Sequence, residues 1–129
     1  MANGRRASED IEWQNTKKLV DRRDKKSCQF EKCLSAKEFH QLIKGSPITL
    51  DRAHIFSASN HPELIYNPKN VITLRRFLHR RLDDYKNPIN EQPLSYEENR
   101  YWWWRIKNHK IEKYDPEIDY ELLLLSEIK

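Results

Sequence analysis

The sequence has no apolar run long enough to cross a bilayer. Its longest pure stretch is "LLLL" at Leu122–Leu125, whereas a helical span takes roughly 20 residues. The opening "MANGRRASED" has no apolar core of the kind a secretory signal carries, so no signal peptide is expected. Cysteine is scarce. Cys28 and Cys33 are the only two in 129 residues, too few for a disulfide scaffold. There is no internal repeat and no low-complexity linker. These absences leave a soluble, cytoplasmic protein with no membrane association as the expectation. The length suits a single domain over residues 1–129 with one modest core.

Charge is abundant and unevenly placed. Charged residues make up 34% of the chain, hydrophobic residues 37%, and the net charge is +4. Asn67–Lys86 holds six Lys/Arg against two Asp, and Ile111–Lys129 holds two Lys against six Asp/Glu. A basic middle with an acidic end suits a polyanion-binding face beside a solvated tail. A merely solvated helix surface explains the charge equally well.

Helix and strand signals alternate along the chain. "SEDIEWQNTKKLV" (Ser8–Val20) predicts an N-terminal helix, with Ser8 as cap and Ile11, Trp13, Leu19 and Val20 as an imperfect apolar face. A charged turn and a short cysteine-bearing knuckle come next. "SAKE" (Ser35–Glu38) is a capping box that opens a second helix, which "GSP" (Gly45–Pro47) stops. "ITLDRAHIF" (Ile48–Phe56) predicts a strand, Ser57–Lys69 a loop, "NVITL" (Asn70–Leu74) a second strand, and "RRFLHRRLDDYK" (Arg75–Lys86) a helix with Leu74, Leu78 and Leu82 as its apolar row. "SYEE" (Ser95–Glu98) is another capping box, and "PEIDYELLLLSEI" predicts a short terminal helix. The fold class is α+β. A two-stranded antiparallel hairpin and one helix form a core over about 28–86, flanked by a helix at 8–20 and a helical extension at 95–129.

Chemistry concentrates in the middle. His54 lies at the end of the first strand, Asn70 opens the second, and His79 sits one turn into the helix. "DRAHIF", "NVITL" and "LHRRLD", in that order, resemble the HNH endonucleases, whose fold is a ββα-metal core. Asn70 and His79 keep the family's nine-residue interval. "RRDKKSCQFEKC" resembles the lead-in of many members, and the stretch from Tyr85 through "YWWWRI" resembles the segment after the motif in phage-encoded ones. The resemblance covers roughly Trp13–Asp83.

The resemblance implies a metal-dependent DNA endonuclease. Neutral imidazole has an ordinary pKa near 6.5 and can take a proton from water at physiological pH, so His54 is assigned as general base. By resemblance His79 is a metal ligand, and Asn70 is a catalytic-site brace or a ligand. Asp83 lies four residues after His79 on one helix face and is a further ligand candidate. Asp51 is another. It lies three residues before His54, and on a regular strand the two point to opposite faces, so a shared site needs a bulge or strong twist. Mg²⁺ or Mn²⁺ is the expected ion, with Zn²⁺ or Ni²⁺ as alternatives. The alternative for His54 is a structural histidine on a strand, and His61 reads as a turn residue.

Arg75, Arg76, Arg80 and Arg81 surround His79, and Arg52 shares strand parity with His54. These five are the DNA-binding candidates, because guanidinium grips phosphate through a bidentate fork. The implied partner is double-stranded DNA held through its backbone. The DNA-packaging machinery of phages is a further implied context. Cys28 and Cys33 resemble the first pair of a zinc knuckle, but the second pair would fall near Arg75 and Leu78, which carry no thiol. Free thiols are expected, with a structural zinc completed by a histidine such as His40 as the alternative. Consecutive tryptophans at Trp102–Trp104 cannot form one flat stacking surface on a helix. One or two are expected to pack inward, with the third partly exposed. The rival functions are a non-catalytic DNA-binding module on the same fold and an RNA nuclease or toxin effector.

Overall fold

Two short strands pair at the centre of the computed structural model, which describes residues 4–42 and 47–129, with side chains from Ile11 onward. Strand β1 (Leu50–His54) runs antiparallel to β2 (Val71–Arg75). Their register is continuous, from Leu50 opposite Arg75 to His54 opposite Val71. Both strands are shorter or shifted relative to expectation, for identifiable reasons. Ile55 N still bonds the Asn70 carbonyl, but Phe56 N turns to the Asn70 side chain, so β1 ends at His54. Asn70 closes a 3₁₀ turn at Pro68–Asn70, so β2 starts one residue later than predicted and takes in Arg75.

The ribbon is covered on both faces. Successive strand residues point to opposite sides. Arg52 and His54 meet the long helix α1 (Gly4–Asp24) through Asp21 and Trp13, while Asp51 meets α3 (Arg76–Asp83) through Arg76 and His79. Helix α1 and helix α3 therefore lie on opposite faces. The buried side of α1 differs from the apolar face expected from sequence. Ile11 and Leu19 are exposed, and the inward residues are Thr16, Val20 and Asp24, with Trp13 half-buried. Polar groups can occupy this face because each finds a partner. Thr16 Oγ1 donates to the Tyr66 carbonyl (2.8 Å) and Asp24 accepts from Thr73 N (3.0 Å).

Leu74, Leu78 and Leu82 are fully buried, as the apolar row predicted. Helix α3 ends at Asp83, earlier than expected, and Tyr85 then takes a left-handed φ of 56° that turns the chain away. Both capping boxes form. Ser35 and Glu38 exchange backbone bonds ahead of α2 (Ala36–Leu42), and Ser95 and Glu98 do so ahead of α4 (Tyr96–Lys107). Helix α1 begins at Gly4, four residues before the expected cap, so Ser8 lies inside the helix and does not cap it. Of the expected helix stop, Gly45 and Ser46 lie outside the described residues.

Helix α4 and the terminal α5 (Tyr120–Ile128) close the core. Trp102 stacks on Phe30 of the cysteine knuckle with ring centroids 5.8 Å apart, Trp103 is buried, and Trp104 is half-buried against Tyr120. The architecture is α+β, one two-stranded antiparallel sheet with five α-helices among the described residues. No described helix is long and apolar enough to cross a membrane.

Candidate active site

His54 occupies the last position of β1, where the strand leaves the sheet. Its Nε2 lies 2.8 Å from the Ile65 carbonyl, and the Trp13 ring stacks on its face at 5.2 Å. A carbonyl oxygen only accepts, so Nε2 carries the hydrogen and Nδ1 keeps its lone pair. Two elements distant in sequence thus hold one imidazole in a defined tautomer.

The loop that supplies Ile65 is itself held by Asn70. This side chain is 0% exposed and bonds only backbone. Its Oδ1 accepts from Phe56 N (2.8 Å), and its Nδ2 donates to the Phe56 carbonyl (3.1 Å) and the Leu64 carbonyl (3.2 Å). Such an amide is a brace. With every atom enclosed and both ends engaged by backbone, it presents no free donor or acceptor to the cleft. The ligand and direct catalytic assignments of Asn70 give way to this one.

His79 sits between two carboxylates. Its Nδ1 lies 3.0 Å from Asp51 Oδ2, and its Nε2 lies 3.2 Å from Asp83 Oδ2. Asp51 also accepts from Arg76 Nε at 3.0 Å. The hydrogen bond to Asp83 raises the His79 pKa, partial burial opposes it, and Asp51 adds to the rise. Partial burial works to raise the Asp51 pKa, but the bonds from His79 and Arg76 outweigh it and hold it below the usual range. Because β1 carries no bulge, Asp51 faces α3 while His54 faces α1, so Asp51 joins His79 instead of His54.

This donor set fits a divalent ion in a restricted way. Among the described residues no three His, Cys, Asp or Glu side chains converge on one point. His79 Nε2 and Asp83 Oδ2 stand at a separation one cation can bridge. Asp51, on the opposite ring nitrogen, has the position of the outer carboxylate that orients a metal-bound histidine. A two-donor protein site suits Mg²⁺, which keeps most of its waters and takes its other ligands from phosphate. Asp51 is placed to orient the ring, and His79 and Asp83 are the two residues that could hold such an ion.

One cleft of about 280 Å³ is lined by both His54 and Asp83. His54, Ser57, Asn60 and His61 line it from the β1 side, Asp83 and Tyr85 from the end of α3, and Tyr96, Asn99, Arg100 and Trp103 from α4. His79 pairs with one of the lining residues, Asp83. No family model, curated protein or solved structure matches the chain. The site therefore has to be read from its own geometry.

The five arginines differ in availability. Arg52 forms a two-point ion pair with Asp21 (3.0 and 2.7 Å), joining β1 to α1. Arg75 binds Glu31 and the Pro47 carbonyl. Arg76 holds Asp51, and Arg81 binds the Pro88 carbonyl at 2.8 Å and Glu91 at 3.4 Å. Arg80 is exposed and has no ion pair among the described residues. Arg76, Arg80, Arg81 and Lys86 line a second cleft of about 400 Å³ around Phe77. Of the five, Arg80 is the arginine positioned to meet phosphate without first giving up a carboxylate.

Cys28 and Cys33 are free and buried. Cys33 donates its S–H to the Phe30 carbonyl, Cys28 Sγ accepts from Arg75 N, and burial pushes the Cys33 thiol up to about 12. Zinc takes thiolate, and burial disfavours that form at Cys33. His40, the residue suggested to complete a zinc shell, is exposed on α2 and joins no three-residue donor group among the described residues.

Sequence reasoning missed three participants. Trp13 and Ile65 hold His54 from 41 residues upstream and 11 downstream, and Arg100 lies in the cleft wall. The signal for Arg100 was the dipeptide "NR" at Asn99–Arg100, polar residues on what becomes the inner face of a tryptophan-rich helix.

Proposed function

We propose that this chain is a divalent-metal-dependent DNA endonuclease built on a ββα-metal core of the HNH type. The observation that supports this reading is that His54, with its tautomer set by Ile65, lines the same cleft as Asp83, the carboxylate paired with His79. A water in that cleft loses its proton to His54 Nδ1 and attacks the scissile phosphorus. His79 Nε2 and the Asp83 carboxylate would hold the metal, which polarises the phosphate and stabilises the departing oxygen when bound. Asp51 keeps the His79 ring turned toward Asp83, and Asn70 keeps the Ile65 carbonyl under His54. Arg80, with Arg76 and Arg81 beside it, offers the flanking backbone phosphates a cationic surface.

A supercoiled-plasmid assay tests the proposal. Nicking or cutting is expected with Mg²⁺ or Mn²⁺ and none with EDTA. The same incubation with structured RNA separates the RNA-nuclease alternative. Absence of cleavage of either polymer with either ion removes the enzymatic reading and leaves a DNA-binding module.

A further inference from the structure

Arg100 is a buried cation with nothing to neutralise it. The side chain is 7% exposed and reaches into the core from the middle of α4. Its Nη1 donates to the Ile55 carbonyl (3.0 Å) and its Nη2 to Asn99 Oδ1 (2.8 Å). Both acceptors are neutral. No carboxylate lies within ion-pair distance of it among the described residues. The carboxylate that acts on it at longer range is Glu121, which is engaged by the Tyr96 hydroxyl. The rings of Phe56 and Tyr96 lie 5.1 and 5.5 Å away and desolvate the guanidinium without cancelling its charge.

Guanidinium carries five N–H groups. Two have acceptors here, and the Nε–H has none among the described residues. A buried charge is ordinarily paired, because removing it from water is costly. Every other buried or half-buried arginine with a described partner set here follows that rule. Arg105 binds Glu38, and Arg52 binds Asp21. Arg100 is the exception, and it stands in the wall of the cleft that also carries His54 and Asp83.

We infer that Arg100 is the phosphate-binding residue of the His54 cleft, with the substrate phosphate as its missing counter-ion. The inference rests on the nuclease reading for the identity of its ligand, a phosphodiester, but the site itself requires only a phosphate anion. Its placement also explains why it is anchored. Through Ile55 and Asn99, and through the Asn99 bond to the Leu82 carbonyl, the charge is held between the end of β1 and the end of α3. A cation fixed in a poorly hydrated wall stabilises the charge that builds on the phosphoryl oxygens as water attacks.

The test tracks the arginine side-chain N–H signals and the histidine ring signals of the full chain by NMR. Sodium phosphate is titrated against sodium chloride of equal ionic strength. The expected result is a saturable, phosphate-specific shift of the Arg100 Nε–H and the His54 ring. A response confined to Arg76, Arg80 and Arg81, or no response, overturns the inference. Arg100→Lys, which keeps a charge and loses the fork, should abolish the saturable shift and lower kcat by about 100-fold. The wild-type titration decides the matter even if that variant folds poorly. Plasmid cutting by the same preparation keeps the two readings apart. Cutting without a phosphate response at Arg100 overturns this inference and leaves the nuclease. A response without cutting supports the anion site and removes the nuclease.

Discussion

His79 can donate from both ring nitrogens only when it is protonated, and in this protein each nitrogen faces a carboxylate. The Asp83 bond raises its pKa, burial opposes the rise, and Asp51 reinforces it. The folded pKa exceeds the unfolded one, so the stabilisation is complete below the ordinary imidazole value and is lost as pH rises through the elevated value. Asp51 limits the window from below, since its depressed pKa gives stability that disappears at acid pH. In metal-free protein, the stability difference between wild type and His79→Gln should therefore be largest between those limits and shrink toward alkaline pH. Urea melts across the pH range measure it. Asp83→Asn should bring the His79 titration, monitored by NMR, back toward its ordinary value. A flat difference, or an unmoved titration, would mean that the two carboxylates do not hold the ring as described.

The loop between β1 and β2 is an element organised by one side chain. Removing the Asn70 amide leaves Phe56 N and the Phe56 carbonyl without partners in a dry interior, and leaves the Leu64 carbonyl with Asn67 N alone. At about 1 kcal/mol or more for each of these two stranded groups, Asn70→Ala should cost about 2 kcal/mol. It should also lose cleavage, because the loop carries the carbonyl that sets the His54 tautomer. Unchanged stability by chemical denaturation would refute the brace. Much at this scale was legible beforehand. The two capping boxes, the Leu74–Leu78–Leu82 row and the order strand, loop, strand, helix are local signals, and local hydrogen bonds and periodicity produce them. The α1 face was misread because Thr16 and Asp24 are polar, and only partners some 50 residues away make their burial tolerable. Asp51 with His79 and Trp13 with His54 are likewise long-range pairings. Asp51 is a ligand candidate by sequence on condition of a bulge or twist; the strand is regular, and parity alone does not say what Asp51 meets on the other face.

Across the whole molecule, the site is assembled from four elements and a loop. Helix α1 supplies Trp13, β1 supplies His54 and Asp51, the loop supplies Ile65 and Asn70, α3 supplies His79 and Asp83, and α4 supplies Arg100. The hydrophobic core brings the ends of β1 and α3 together under α4, and the Asn99–Arg100 pair bonds both ends. The basic surface of α3 adjoins this cleft at Asp83, while the C-terminal segment that ends in α5 carries six Asp/Glu against two Lys. The chain's mild net charge thus conceals a cationic approach to the site. His54 has no part in the buried core, and its loss should leave the scaffold intact. The decisive measurement is therefore plasmid cleavage by His54→Ala against wild type with Mg²⁺ or Mn²⁺, each first checked for an equal thermal midpoint. The account predicts that cleavage falls by at least about 100-fold while the fold persists. Full activity in a folded His54→Ala protein would contradict it.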